Sequence, residues 1–224
     1  VGDHAARFLM RTWRRTGAGD DVRICSNLET YECQLLASMV ESITELLSER
    51  ADSAPQDELS ALTGIVTGHT RAPDDVTLGR LLPDFHRPDQ EPELVAGPIA
   101  GDLNGGLRSV NEPHIIDAKL AAARTVLETL PSNGGDVSLT EDQADGWLTA
   151  LTDIRLALGA MLGITDEPSK LPPDHPNAAH QDVYDWLSVV QGLLVEALMA
   201  GEWAQPDDPT HDESGHGEWG QGGW

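Results

Sequence analysis

A mainly α fold is expected from the sequence: a helical bundle with a small β-hairpin at its N-terminal end. Three observations predict it. Apolar residues recur at helical spacing in two runs between positions 111 and 165: Ile116, Leu120, Ala123, Val126 or Leu127, and Leu130, then Trp147, Leu151, Ile154, Leu158 and Met161. Pro131, Asn133, Gly134 and Gly135 separate the runs, so the two stripes are expected to pack as an αα-hairpin. Residues 178–199 are apolar almost all round, which suits a helix at the centre of its bundle or one buried in a homodimer. Residues 7–16 alternate imperfectly and 22–26 alternate apolar and polar, across the turn signal Gly17-Ala18-Gly19-Asp20, and read as a β-hairpin.

Taken in order, Val22, Ile24 and Ser26 share one strand face, and residues 136–139 can supply a short third strand. Residues 29–50 carry Leu35, Leu36, Met39, Val40, Ile43, Leu46 and Leu47 as a wide apolar stripe, with Glu32, Glu41, Glu45 and Glu49 largely outside it. Ser53-Ala54-Pro55 opens a short helix containing Glu58, Leu59 and Leu62, and residues 64–73 read as loop. Residues 74–82 form a short helix stopped by Pro83, and 85–92 are a polar connector. Pro98, Gly101, Gly105 and Gly106 argue against one rod over 93–110, so Asn111 is expected to cap a new helix with Pro113 in its first turn. Thr140-Glu141-Asp142-Gln143 fits a capping box, Gly163 closes that helix, and 166–176 are a Pro-rich linker. Three segments follow: an extension over 1–9, a single helical domain over 10–200, and a disordered acidic tail over 201–224. The tail holds six acidic residues, six Gly and Trp203, Trp219 and Trp224.

With 14 Lys plus Arg against 38 Asp plus Glu, the net charge is −24, which argues against unaided DNA binding. Residues 1–24 carry five Arg and three Asp, a small basic end on an acidic body, and that balance suits a protein partner. No stretch reads as a signal peptide or a membrane span, so a cytoplasmic location is expected, with Cys25 and Cys33 reduced at rest.

Several blocks together resemble one family. They are Asp57-Glu58-Leu59…Thr63-Gly64…Thr67-Gly68-His69, Arg80-Leu81-Leu82-Pro83-Asp84-Phe85, Glu112-Pro113…Ile116-Asp117-Ala118-Lys119, Asp153-Ile154-Arg155-Leu156-Ala157-Leu158-Gly159 and Tyr184-Asp185-Trp186-Leu187. The blocks are similar to an actinobacterial group, formerly a domain of unknown function, whose members are described as AosR-like oxidative-stress regulators. The resemblance implies a redox-linked transcriptional regulator that acts through a sigma factor or RNA polymerase. Its implied gene neighbourhood offers an alternative, an adaptor in Clp-type proteolysis. It carries over no catalytic residue, and no cofactor is called for.

Cys25 and Cys33 are the candidate redox pair. Eight residues apart across a strand–helix turn, they are placed to meet as a disulfide, with Cys33 activated by the helix N-terminus; the alternative is two unrelated buried small residues. Arg11, Trp13, Arg14 and Arg15 form a basic-aromatic edge, a candidate partner-binding strip or simply a charge-protected edge strand. His175, His180, His211 and His216 have poor spacing for zinc, so no metal is expected. Asp153, Arg155, Asp117, Lys119 and Arg124 read as structural charges tied to neighbouring helices. No hydrolase, metalloprotease, P-loop or dinucleotide fingerprint occurs, and a non-enzyme is expected.

Overall fold

The computed structural model describes residues 12–55, 67–85, 98–164 and 170–200, with the backbone alone at 98–102. Elements run β1 (Arg14–Thr16), a 3-10 turn (Gly19–Asp21), β2 (Arg23–Leu28), α1 (Thr30–Asp52), α2 (Val76–Leu81), α3 (Pro98–Thr129), β3 (Gly135–Leu139), α4 (Glu141–Leu162) and α5 (Ala178–Met199). The chain is mainly α, as expected, and the strands form one antiparallel sheet in the order β1-β2-β3. The expected extension, the helix opened by Pro55, the connector after Phe85 and the acidic tail fall wholly or mostly outside the described residues.

The sheet is built on the β2 alternation. Ile24, Ser26 and Leu28 turn inward, and Ile24 is opposite Arg15 on one side and Leu139 on the other. The third strand is therefore real, and it is what separates the two stripes of the αα-hairpin. Gly134 makes the preceding turn at φ +74; a Cβ there would lie 2.6 Å from the Thr30 nitrogen at the start of α1. Thr140 caps α4 with Gln143 in the expected reciprocal box, and Gly163 ends that helix in the left-handed region at φ +65.

The central rod is α4, not the last helix. It packs on α1, α2, α3, α5 and the sheet. Trp147 is wholly buried, donates its indole N–H to Thr129 Oγ1 at 2.7 Å and meets the Trp13 ring edge-on at 5.5 Å. By contrast, α5 flanks the bundle. Trp186, Leu187, Val190, Leu194 and Ala197 are buried, while Val189 and Met199 stay exposed. The hairpin stripe also ends early: Met161 is 54% exposed and, with Leu158, Met39, Ile43 and Val183, borders an apolar groove of about 420 Å³.

One expectation fails outright. Residues 98–129 are a single helix, and Asn111 does not cap a new one; its side-chain amide donates to the Leu107 carbonyl one turn back. Pro113 sits inside this helix. Having no N–H, it leaves the Ser109 carbonyl without its intrahelical donor. The Gly68 N–H, from the loop after α1, donates to that carbonyl at 2.7 Å. The same loop lies against Gly105, where a Cβ would come 3.1 Å from the Thr70 carbonyl oxygen.

A buried ion network pins the loop to its surroundings. Glu112, 2% exposed, accepts from Arg50 Nε and from Arg108 Nη1, each at 2.7 Å. Arg108, 1% exposed, also donates to the Leu82 carbonyl and to Asp84, and its guanidinium lies 5.9 Å from the centre of the Phe85 ring. Arg50 donates onward to the Arg71 carbonyl. The α1 C-terminus, the 67–73 loop, the end of α2 and the middle of α3 thus meet at one carboxylate.

Gly68 has no room for a side chain, since a Cβ would lie 2.9 and 3.0 Å from Pro113 Cδ and Cγ. Gly68→Ala should cost roughly 1–3 kcal/mol in urea unfolding. In a Pro113→Ala background the obstructing ring is gone, and the same change should cost less than half as much.

Candidate functional site

The outer face of the sheet holds the candidate thiol. Cys25 sits at the middle of β2, half-exposed, paired in register with Arg14 on β1 and Ser138 on β3. Its sulfur lies 3.6 Å from both the Thr16 and the Ser138 hydroxyls. Strand pleating sends Cys25 away from the inward set Ile24, Ser26 and Leu28. Cys33 occupies the first turn of α1 and is buried in the core with Leu36, Val137 and Leu139. The sheet therefore does not bring the two sulfurs together: one faces outward and the other lies beneath. Both thiols are free.

The expected activation of Cys33 is also reversed. Burial pushes its thiol above the usual value, the Gly134 backbone N–H pulls it down by less, and Glu32 raises it further. The helix N-terminus does not overcome desolvation here.

The basic-aromatic strip is divided among three environments. Trp13 is 6% exposed and belongs to the core against Trp147, so it is an anchor and not a partner contact. Arg15 pairs with Glu141 at 2.8 Å and reaches the Leu198 carbonyl at 3.5 Å, tying β1 to α4 and α5. Arg14 is exposed beside Cys25. Arg11 lies outside the described residues.

A second constellation lies on the opposite half of α4. Lys119 and the buried Asp153 form an ion pair across the α3–α4 interface. Burial raises the Asp153 carboxyl above its ordinary 3.8, while the hydrogen bond and charge of Lys119 pull it down by less. Two residues on, Arg155 donates Nη1 to Gln191 Oε1 on α5, and its guanidinium lies 5.3 Å from the Tyr184 ring centre. Gln191 is itself held, donating to Thr152 Oγ1 at 2.6 Å. Arg155 borders a cleft of about 720 Å³ between α2, α4 and α5, with Arg80 on its α2 side. As for metal, no group of three or more His, Cys, Asp or Glu is placed to hold an ion among the described residues. His175 accepts the Asn177 N–H through Nδ1 as part of the turn into α5, while His211 and His216 are outside the described residues.

Sequence reasoning missed the Arg50–Glu112–Arg108 network. The signal was present, because Arg108 and Glu112 stand four apart on one helix face. The helix break placed at Asn111 cut that pair in two. The network and the cleft are also where the sequence blocks converge: Gly68 and His69, Arg80 through Phe85, Glu112 and Pro113, Arg155 and Gly159, and Tyr184 line one or the other.

A helical domain clasped around a small sheet, with family-bearing blocks gathered at an ion network and a cleft, defines a class by its architecture. The comparisons name the family. The chain belongs to the family described as "Domain of unknown function (DUF2017)", which matches residues 10–198. It is 47% identical over 196 residues to "Oxidative stress regulator AosR" of Mycobacterium tuberculosis H37Rv, covering 85% of this chain and 89% of that protein. A Mycobacterium bovis relative of the same name matches equally. "Putative oxidative stress regulator AosR" of Mycobacterium leprae is 44% identical over 195 residues, covering 86% of this chain and 90% of its own length. No solved structure matches. No helix among the described residues is long and apolar enough to cross a membrane.

Two measurements test the electrostatics. A carboxyl whose folded pKa is raised binds its proton more tightly when folded, so it favours folding at low pH and loses that contribution as pH rises from 3.8 through the raised value. The stability of the native protein minus that of Asp153→Asn should therefore fall as pH rises from 3.8 upward, followed by urea midpoints; a rising difference would mean that Lys119 dominates. Native-state alkylation with iodoacetamide should modify Cys25 at least about tenfold faster than Cys33, with Cys33 catching up in denaturant.

Proposed function

We propose that this protein is a cytosolic, redox-linked transcriptional regulator that acts without catalytic turnover, through contact with a sigma factor or RNA polymerase. One observation carries the reading: identity of 44–47% over most of both chains to proteins named oxidative stress regulators. The charge of −24 supports a protein partner over nucleic acid, since a phosphate backbone would be repelled.

Thiol control enters through Cys25 and Cys33. Peroxide takes two electrons and two protons from the thiols, leaves one S–S bond and is itself reduced to two waters. A disulfide holds its Cα atoms roughly 4.4–6.8 Å apart with the Cβ atoms turned toward each other. An outward Cys25 and an inward Cys33 meet that requirement only after β2 rotates out of its ladders. That rotation breaks both ladders, three paired residues with β1 and five with β3. Release of β1 would free Arg15 and uncover Trp13 beside the already exposed Arg14, three of the residues read from the sequence as a docking strip.

The test is affinity purification of the tagged full chain from cells with and without peroxide, with intact mass measured on the same sample. Recovery of sigma factor or polymerase, changed by peroxide and made insensitive to it by Cys25→Ser, is the expected result. Recovery of protease subunits in their place, or an oxidised chain that keeps two free thiols and loses no mass, would overturn the corresponding half of the proposal.

A further inference from the structure

The cleft between α2, α4 and α5 holds a cation that the protein has positioned and that no carboxylate among the described residues neutralises. Arg50 and Arg108, two more inward guanidiniums, each face a carboxylate, whereas Arg155 is partly buried. Arg155 faces none among the described residues. Its Nη1 is taken by the neutral Gln191, and its Nε is buried with no hydrogen-bond partner. Nη2 makes no hydrogen bond among the described residues. An unpaired buried donor costs about 1–3 kcal/mol, more when charged, and such groups persist where something else offsets the cost.

The surroundings fix what that could be. Arg155 is held from two sides, by the Thr152–Gln191 chain and by the Tyr184 ring, so its plane is set before any ligand arrives. Arg80 adds a second guanidinium to the same cleft, is exposed, and makes no ion pair among the described residues. Two arginines in one recess, neither with an ion-pair partner among the described residues, stand out in a chain with 14 basic and 38 acidic residues. Gly79, Gly159 and Gly163 give part of the wall to backbone alone, and a Cβ at Gly163 would meet nothing within 4 Å. Leu156, Ile164 and Tyr184 supply apolar wall. The volume of about 720 Å³ falls within the range of small-molecule sites.

We propose that this cleft binds a small organic oxyanion, a carboxylate or phosphate on an apolar body. Arg155 and Arg80 take the acid oxygens, and Leu156, Ile164 and Tyr184 take the body. Guanidinium recognises both acids by the same paired N–H donors. The site is independent of the thiol reading and survives if that reading fails.

Titration of the full chain with phenyl phosphate and, separately, benzoate, read by the arginine Nε–H signals in nitrogen–proton NMR, is the test, with sodium chloride as control. A saturable shift of the Arg155 signal below about 10 mM is expected. Arg80→Gln, at an exposed position, should weaken binding about tenfold while leaving the thermal midpoint unchanged. Arg155→Lys, which keeps the charge but loses the fork, should weaken it as well. Tighter binding of phenyl phosphate assigns the natural acid as a phosphate, and tighter benzoate assigns it as a carboxylate; either supports the site. Absence of a saturable shift, the same shift from sodium chloride, or unchanged affinity in Arg80→Gln would overturn it.

Discussion

The hydrogen bond from the Gly68 N–H to the Ser109 carbonyl is the constraint on which the arrangement turns. A proline in a helix interior removes one donor and crowds the carbonyl one turn back, a disruption of about 3 kcal/mol or more. Here the missing donor comes from a loop distant in sequence. The helix stays whole, and the loop acquires an address. With α3 unbroken, Glu112 stands one turn beyond Arg108 on the same rod, and both reach the space where Arg50 leaves α1. A break at Asn111 would have separated the two ends of that ion pair.

The buried charges divide by how they are satisfied. Glu112 answers two guanidiniums, and Arg108 spreads its donors over Glu112, Asp84 and a carbonyl. Such a cluster adds little net stability compared with a well-packed apolar core, because desolvating the ions offsets their attraction. It is selective nonetheless, because removal of any member strands another. Asp153 and Lys119 show the balance tipped: one partner does not repay the burial of the carboxyl, and its pKa stays raised. Arg155 lies further along that scale, positioned by a neutral amide and an aromatic ring with a donor left over.

Much of the fold was legible in the sequence because local signals and burial agreed. The stripe from Trp147 to Ile154, the Thr140 box, the Gly163 stop and the 178–199 helix all appear as read. The alternation of β2 correctly put Ile24 and Ser26 on one face, which already implied that Cys25 was on the other. What failed were judgements that depended on distant partners. Pro113 and the glycines near it looked like a boundary because Gly68 and Thr70, which lie against them, stand far away in sequence. Trp13 looked like an edge because nothing local shows that Trp147 waits beneath it. The last helix looked central because its composition is apolar all round, yet the count of apolar residues does not say how many neighbours are available. Arg155 was rightly read as tied to a neighbouring helix, but its unpartnered Nε has no trace in the sequence.

The two cysteines bring these threads together. A sensor whose thiols already touched would oxidise without moving, and the oxidation would change little. Thiols on opposite sides of a sheet couple chemistry to shape, because the bond and the native ladder exclude each other. Under the proposed thiol control the outward Cys25 is the more accessible thiol, and burial raises the pKa of the inward Cys33. The cost of opening combines the five pairs to β3 with release of β1, which is short but fastened by the Trp13–Trp147 contact and by Arg15 reaching Glu141 and Leu198. The residues that hold the sheet shut are therefore the ones released when it opens. Of the basic-aromatic strip, Trp13 is buried and Arg15 is tied down while Arg14 is exposed, so under the proposed thiol control it is Trp13 and Arg15 that opening would release.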